Sequence, residues 1–136
     1  MRKILAVALV MPACFLFACH PAHAAAPEEL APGFAQCMEK AESTAASIEC
    51  LTAAYNHWDK ILNENFKRAR EACKDSEHAD KCEKDLVKAQ RLWIQYKEAM
   101  FPVIDELNGG GSMARLMVND FAVSETKKQA RLLEPE

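Results

Sequence analysis

The sequence predicts an all-α protein: a small disulfide-stapled helical bundle with three long helices and a short leading helix. Two long segments carry apolar residues at steps of three or four, which is the spacing of one helix face. Three consecutive glycines at 109–111 separate the second of these segments from a further helical segment. No segment of useful length alternates apolar and polar residues as a half-buried strand does.

The first 24 residues have the layout of a secretory signal peptide. Arg2 and Lys3 form a positive start, an apolar run covers residues 4–18, and Ala22 and Ala24 are small residues at the two positions that a signal peptidase reads. The apolar run is too short to be a comfortable membrane span. We therefore expect cleavage after Ala24 and a periplasmic or secreted mature chain.

A second processing route competes at Cys19. Residues 16–19 also look like a bacterial lipobox, in which Cys19 would be lipidated and the chain would be a membrane-anchored lipoprotein. Phe17 is bulky for its position in that motif, so simple cleavage after Ala24 fits better. Lipidation would change the location of the protein and leave its fold unchanged.

The mature chain is short and mildly acidic. Its 112 residues suit one domain, with residues 25–33 as a flexible leader rich in proline and alanine and residues 34–136 as the helical domain. Removing Arg2 and Lys3 leaves 15 basic residues against 20 acidic ones, a net charge near −5. A nucleic-acid-binding protein would carry a clustered positive face instead. The charge is compatible with a basic protein partner.

The first two helices are predicted from a capping residue and an apolar stripe. The leading helix runs from Phe34 to about Glu42, and Ser47 is placed to cap a longer second helix. The opposite side of the second helix carries charge pairs four residues apart, which mark a solvated surface. Its apolar face consists of Leu51, Tyr55, Trp58, Leu62 and Phe66.

The third and fourth helices follow a polar turn at residues 74–81. Pro102 is expected to break or bend the third helix, which runs to about Phe101. Residues 105–111 are expected to form a loop, and Ser112 is placed to cap a last helix that ends near Leu133. The apolar face of the third helix consists of Leu86, Ala89, Trp93, Tyr96 and Met100.

Four cysteines remain in the mature chain, and in an exported protein they most plausibly form two disulfides. Three pairings are possible. The positions favour Cys37 with Cys50, which would hold the leading helix to the second, and Cys73 with Cys82, which bracket the polar turn. A zinc site is the competing interpretation, but no two cysteines have the usual ligand spacing and the mature chain contains only two histidines.

Asp59, Leu62 and Asn63, then Gln90 and Trp93, then Gly111 and Ser112 form three short blocks along the chain. In this order and spacing they resemble the LprI-type family of lysozyme inhibitors, a group of small exported bacterial domains. The resemblance runs from about Cys37 to Leu133. The chain departs from its relatives where they carry a further pair of cysteines, because it has Met100 and Phe121 there. We expect Met100 to pack on Phe121. The matching positions, interpreted as mainly structural, include Cys50, Asp59, Leu62, Asn63, Gln90, Trp93, Gly111, Ser112, Thr126 and Arg131.

The two tryptophans and two of the amides in these blocks have a structural interpretation. Trp58 and Trp93 lie on apolar helix faces, so a place in the core is favoured over a role as anchors for a partner. Asn63 and Gln90 are expected to bond to neighbouring groups within the bundle and so to fix its register.

The resemblance implies a protein that binds a lysozyme-type glycan hydrolase and blocks its cleft, with the negative charge steering it to a basic lysozyme. The alternative is a non-enzymatic envelope binding or scaffold module with a different protein partner. The sequence contains no nucleophile with its base, no cofactor motif and no metal-ligand spacing, so we predict neither an enzyme nor a bound cofactor. Candidate partner-binding residues, chosen for their expected exposure, are Asp105, Glu106, Asn108 and Ser112.

Overall fold

The computed structural model describes residues 29–134. The predicted signal peptide, the predicted processing sites and residues 25–28 of the predicted leader lie outside this range. The described chain consists of α1 (Phe34–Lys40), α2 (Thr44–Cys73), α3 (Ala79–Leu107) and α4 (Gly111–Leu132). These residues form no strand. The predicted class, three long helices with a short leading one, is confirmed. None of the helices in the described range is long and apolar enough to cross a membrane.

Helix α4 is the most enclosed element of the bundle. It packs along α2 and, less extensively, against α3, while α2 and α3 make fewer contacts with each other. Ala114, Val123, Thr126 and Ala130 of α4 are 0% exposed. Two of these are alanines, whose small side chains let neighbouring helices approach closely. Because α4 is covered on two sides, its buried residues are not confined to one stripe.

Residues 29–33 lie against the bundle rather than forming a loose leader. Ala31 is 3% exposed, and the indole nitrogen of Trp58 donates a hydrogen bond to the carbonyl oxygen of Leu30 at 2.7 Å. The ammonium of Lys127 donates to the carbonyl oxygen of Glu29 at 2.9 Å. The flexible leader predicted over residues 25–33 is therefore corrected for this part, because a half-buried indole N–H needs a partner and finds it in the leader backbone.

The N-terminal cap of α2 is Ser43 and not Ser47. The Ser43 hydroxyl accepts a hydrogen bond from the backbone nitrogen of Ala46 at 3.1 Å, as an N-cap serine does. Ser47 lies in the first turn, where its hydroxyl donates to the carbonyl oxygen of Ser43 at 3.2 Å. The prediction was one helical turn late, since both serines satisfy the capping pattern in the sequence.

Helix α3 does not end near Phe101, because it continues through Pro102 to Leu107. Proline cannot donate a hydrogen bond to the carbonyl four residues earlier, which belongs to Glu98. Glu98 and Pro102 are both exposed, so this carbonyl lies on the solvent side of the helix, where it is accessible to water. The predicted loop at 105–111 is thereby shortened to the turn at residues 108–110.

The face that α3 turns to the bundle is rotated from the predicted one. Ala89 is exposed and Tyr96 is 49% exposed, whereas Lys97 is only 6% exposed. Trp93 and Met100 are half-buried, as are Gln90 and Phe101. The prediction placed only apolar residues inside, and it was wrong because a lysine occupies the middle of the buried face.

Two disulfide bonds connect the helices. Cys37 is joined to Cys50, with 13 residues of sequence separation, and Cys73 is joined to Cys82, with a separation of 9. The first bond ties α1 to the start of α2, and the second closes the turn between α2 and α3. These are the two pairs that the positions of the cysteines favoured.

Candidate functional site

The candidate partner-binding residues surround the turn that joins α3 to α4. The carbonyl oxygen of Asp105 accepts a hydrogen bond from the backbone nitrogen of Gly110 at 3.0 Å. The side-chain amide of Asn108 donates to the carbonyl oxygen of Ile104 at 2.7 Å. The bond to Asp105 satisfies a carbonyl group at the end of the helix, whereas the Ile104 carbonyl oxygen also accepts from the backbone nitrogen of Asn108 at 3.1 Å, so the amide is its second donor. Asp105 thus contributes to the closure of α3 through its backbone carbonyl, and Asn108 contributes through its side-chain amide.

Glu106 also takes part in the turn, since its carbonyl oxygen accepts a hydrogen bond from the backbone nitrogen of Gly109 at 3.1 Å, but its side chain and that of Ser112 do not. Both are exposed, and neither side chain has a hydrogen bond or ion pair with any residue in the range 29–134. Ser112 lies in the first turn of α4 and does not cap it. The N-cap is Gly110, which provides no side-chain bond. The cap predicted at Ser112 is wrong, because the helix already begins at Gly111.

The turn itself requires glycine. Gly109, Gly110 and Gly111 have φ angles of 73°, 68° and 78°, in the left-handed region that residues with a Cβ atom rarely adopt. A Cβ atom built at any of these three positions meets nothing within 4 Å. Backbone conformation, and not crowding, therefore demands these glycines, and the turn presents an open backbone surface to solvent.

Lys97 lies inside the bundle, in a cage of aromatic rings. Its ammonium nitrogen is 3.2 Å from the Tyr55 hydroxyl oxygen, to which it donates a hydrogen bond. The nitrogen also lies 4.6 Å from the centre of the Trp93 ring and 5.1 Å from the centre of the Tyr55 ring. Cation–π attraction of this kind is stronger where water is excluded. The apolar spacing of α3 gave no indication that Lys97 is buried.

A cavity of about 270 Å³ adjoins Lys97 between α2, α3 and α4. Two of its polar side chains are engaged within their own helices, because Thr52 donates to the carbonyl of Ile48 at 2.8 Å and Asn119 donates to that of Arg115 at 2.8 Å. The cavity therefore lies in the packing between the helices, lined by both polar and apolar side chains. Nothing in it pairs a nucleophile with a general base.

The remaining tryptophan is covered by cationic side chains. The Lys127 ammonium lies 5.2 Å and the Arg131 guanidinium 5.4 Å from the centre of the Trp58 ring. The edge of His57 meets the same ring at a centroid distance of 5.3 Å. Trp58 is therefore built into the contact between α2, α4 and the residues before α1, and it is not displayed to a partner.

Side-chain amides link the helices at two points, and a third amide bonds within its own helix. Gln129 donates to the side-chain oxygen of Gln90 at 2.9 Å, between α4 and α3. Asn63 bonds within α2, donating to the backbone oxygen of Asp59 at 2.8 Å and to its carboxylate at 3.0 Å. Asn65, which sequence reasoning missed, is 5% exposed and donates to the carbonyl of Ala130 at 2.8 Å. Its position three residues after the buried Leu62 was the available signal.

Two other family positions are structural as well. Thr126 is 0% exposed, and its hydroxyl donates to the carbonyl oxygen of Ala122 at 2.7 Å. Phe121, at one of the positions where relatives carry a cysteine, meets the rings of Tyr96 and Phe101 at centroid distances of 6.4 Å each. The aromatic contacts of Phe121 thus lie on both sides of Met100 along α3. The packing of Met100 itself on Phe121 stays a prediction.

The side chains whose pKa values are clearly shifted lie away from the α3–α4 turn. A hydrogen bond from Lys81 and its charge lower the pKa of Asp85, and Lys74 lowers the pKa of Glu71 in the same way. Glu125 raises the pKa of Lys128 by accepting its hydrogen bond. The first two are exposed ion pairs on the surface of the bundle, and in the third the Glu125 side chain is only 15% exposed. Within residues 29–134, no group of three or more metal-ligating side chains could hold a metal ion.

Comparison with known proteins gives one match. The profile of a protein family described as lysozyme inhibitor LprI matches residues 37–133. No curated protein and no solved structure matches the chain. The matched range begins at the first cysteine of the Cys37–Cys50 bond and ends just after α4, so it covers all four helices apart from the first turn of α1.

Proposed function

We propose, because the chain belongs to the LprI lysozyme inhibitor family, that it binds a lysozyme-type glycan hydrolase and prevents it from cleaving cell-wall glycan. The observation that carries this proposal is the family match over residues 37–133, which extends through both disulfides and the three long helices. The family is one of inhibitors and not of enzymes. The protein would therefore act by binding, without turnover of a substrate.

Steric blockade is the mechanism that suits a rigid helical bundle. Glycan hydrolases of this type cleave between two carboxyl groups that lie in an open cleft. A bundle that covers the cleft excludes the glycan and needs no chemistry of its own. Two disulfides and a largely helical backbone keep the inhibitor in one shape, which limits the conformational entropy lost on binding.

A protein that protects cell-wall glycan from a hydrolase has to be exported to reach it. The proposed route is cleavage after Ala24, which releases the domain to the periplasm or the exterior, and the alternative is lipidation at Cys19. The mass of the protein recovered from the envelope distinguishes these. A chain that begins at Ala25 supports release, whereas an acylated chain that begins at Cys19 supports a membrane-anchored inhibitor.

The direct test is a titration of the mature domain, with its disulfides formed, against a basic animal lysozyme on a cell-wall suspension. The proposal predicts saturable inhibition that is complete near a one-to-one ratio. It also predicts that a short chitin oligosaccharide, which occupies the cleft, competes with the domain. Lack of inhibition at a large excess would contradict the proposal and favour an envelope binding module with another partner.

A further inference from the structure

Helix α3 exposes a row of large apolar residues along one face. Their positions are separated by steps of four, seven and four, so they lie on the same side of the helix. Large apolar side chains on a single exposed stripe are uncommon in a protein without a partner. The four residues and their exposed fractions are Leu92 (55%), Tyr96 (49%), Val103 (44%) and Leu107 (79%).

Helix α4 carries a second row that adjoins the first. Met113 is 58% and Met117 is 45% exposed, and the two lie one helical turn apart. Phe121 follows Met117 by another turn, and its ring meets that of Tyr96 in the first row. The two rows therefore run side by side and converge at the glycine turn. We call the six exposed residues of both rows the hairpin face.

The net negative charge lies around the glycine turn, in the part of the chain that carries Val103, Leu107, Met113 and Met117, four of the six residues of the hairpin face. Residues 98–121, which form the end of α3, the turn and the start of α4, contain four acidic residues and one basic residue. The rest of the described range contains 14 acidic and 14 basic residues. The whole net charge of −3 in residues 29–134 is thus accounted for by this hairpin.

We propose, on the basis of the proposed function, that the hairpin face is the surface that docks on the hydrolase, against a positively charged rim of its glycan cleft. A few side chains buried at the centre of an interface, among them tyrosine, supply most of the binding energy, and a charged border directs association. Tyr96, with the two leucines and two methionines of the face around it, meets the first requirement, and the acidic hairpin meets the second. Methionine side chains also adapt readily to an uneven surface.

The same charge argues against two other occupants. A second copy of this chain would bring two hairpins of net charge −3 together, which is electrostatically unfavourable. An anionic lipid surface would repel the hairpin for the same reason. A basic protein is the occupant whose charge complements this surface.

Two leucines provide a matched test. Leu107 is the last residue of α3 and is 79% exposed, and Leu132 is the last residue of α4 and is 76% exposed. Only Leu107 belongs to the hairpin face. Leu107→Ser is expected to weaken inhibition of a basic lysozyme at least tenfold, whereas Leu132→Ser should leave it unchanged. Thermal melts of both variants establish that each is folded.

A charge pair of variants tests the acidic border. Glu106→Lys is expected to slow association severalfold at low salt, and the difference should vanish at high salt. Glu77→Lys, a substitution at another exposed residue, in the turn between α2 and α3, should have a much smaller effect.

If the unmodified domain inhibits but Leu107→Ser and Leu132→Ser inhibit equally well, the docking surface is wrong and the proposed function stands. If the unmodified domain does not inhibit, both proposals fail. Self-association through the hairpin face, seen in sedimentation as loss of dimer on Leu107→Ser, would also overturn the docking proposal.

Discussion

The ammonium nitrogen of Lys97 lies 3.2 Å from the hydroxyl oxygen of Tyr55, inside a bundle where α3 and α2 otherwise make few contacts. The lysine is 6% exposed. Its ammonium group is bonded to the Tyr55 hydroxyl and faces the rings of Tyr55 and Trp93. Burial of a charge without an opposite charge is costly. The long aliphatic part of the side chain fills space between the helices and so compensates for part of this cost.

Substitutions at Lys97 are expected to separate packing from charge. Lys97→Met keeps the length of the side chain and its contact with the rings. The free energy of unfolding should therefore fall by less than about 1 kcal/mol, or should rise. Lys97→Ala enlarges the neighbouring cavity and should cost roughly 2–4 kcal/mol. Urea unfolding of both variants measures this. Equal losses for the two variants would show that the ammonium group itself stabilises the bundle.

Most of the fold is available from apolar spacing in the sequence, and its failures have local causes. The class, the number of helices and the register of α2 follow from regular patterns that tertiary contacts do not alter. Pro102 was misinterpreted because its effect depends on whether the carbonyl of Glu98 faces solvent, which sequence alone does not tell. The cap of α2 was misplaced because Ser43 and Ser47 fit the same pattern.

The site was harder to predict than the fold. The loop residues were chosen for exposure, yet Asp105 and Asn108 mainly close the end of α3. The hairpin face was missed because Tyr96 was assigned to the core, and the rotation of α3 that exposes it follows from the burial of Lys97. A pattern of apolar and polar residues assigns lysine to the surface. Lys97 is buried instead, and it is the residue that decides how α3 is oriented in the bundle.

Replacement of Gly110 should destabilise the α3–α4 turn. Its φ and ψ angles of 68° and −171° belong to a region that is essentially confined to glycine. Gly110→Ala is expected to cost about 1–3 kcal/mol. Gly33→Asn is the control, because Gly33 has φ and ψ angles of 77° and 2°, which asparagine tolerates. Thermal melts compare the two, and an equal loss would show that the Gly110 conformation is not required.

The two disulfides should contribute similarly to stability but act on different parts of the chain. Sequence separations of 13 and 9 residues correspond to about 3 kcal/mol each in the chain-entropy model. Replacing Cys37 and Cys50 by serine should increase hydrogen exchange in α1, whereas replacing Cys73 and Cys82 should increase it at the α2–α3 turn. The same exchange pattern in both variants would contradict this division.

Acidification should weaken the exposed ion pairs on α2 and α3. The pKa values of Glu71 and Asp85 lie below their ordinary values of 4.5 and 3.8 because Lys74 and Lys81 bond to the carboxylates. Their contribution is complete above those ordinary values and is lost as the pH falls through the lowered ones. Both pairs are fully exposed, so the effect should be small and screened by salt. Asp85→Asn should reduce the loss of melting temperature between pH 6 and pH 2, and an unchanged loss would exclude a contribution from this pair.

Hydrogen exchange of the domain, alone and mixed with a basic lysozyme, tests the central claim most directly, because it reports both binding and its location. The account predicts that the lysozyme slows exchange in residues 103–117, around the glycine turn, and leaves residues 74–78 at the opposite end of the bundle unchanged. Protection confined to the opposite end, or no protection anywhere at saturating lysozyme, would contradict it.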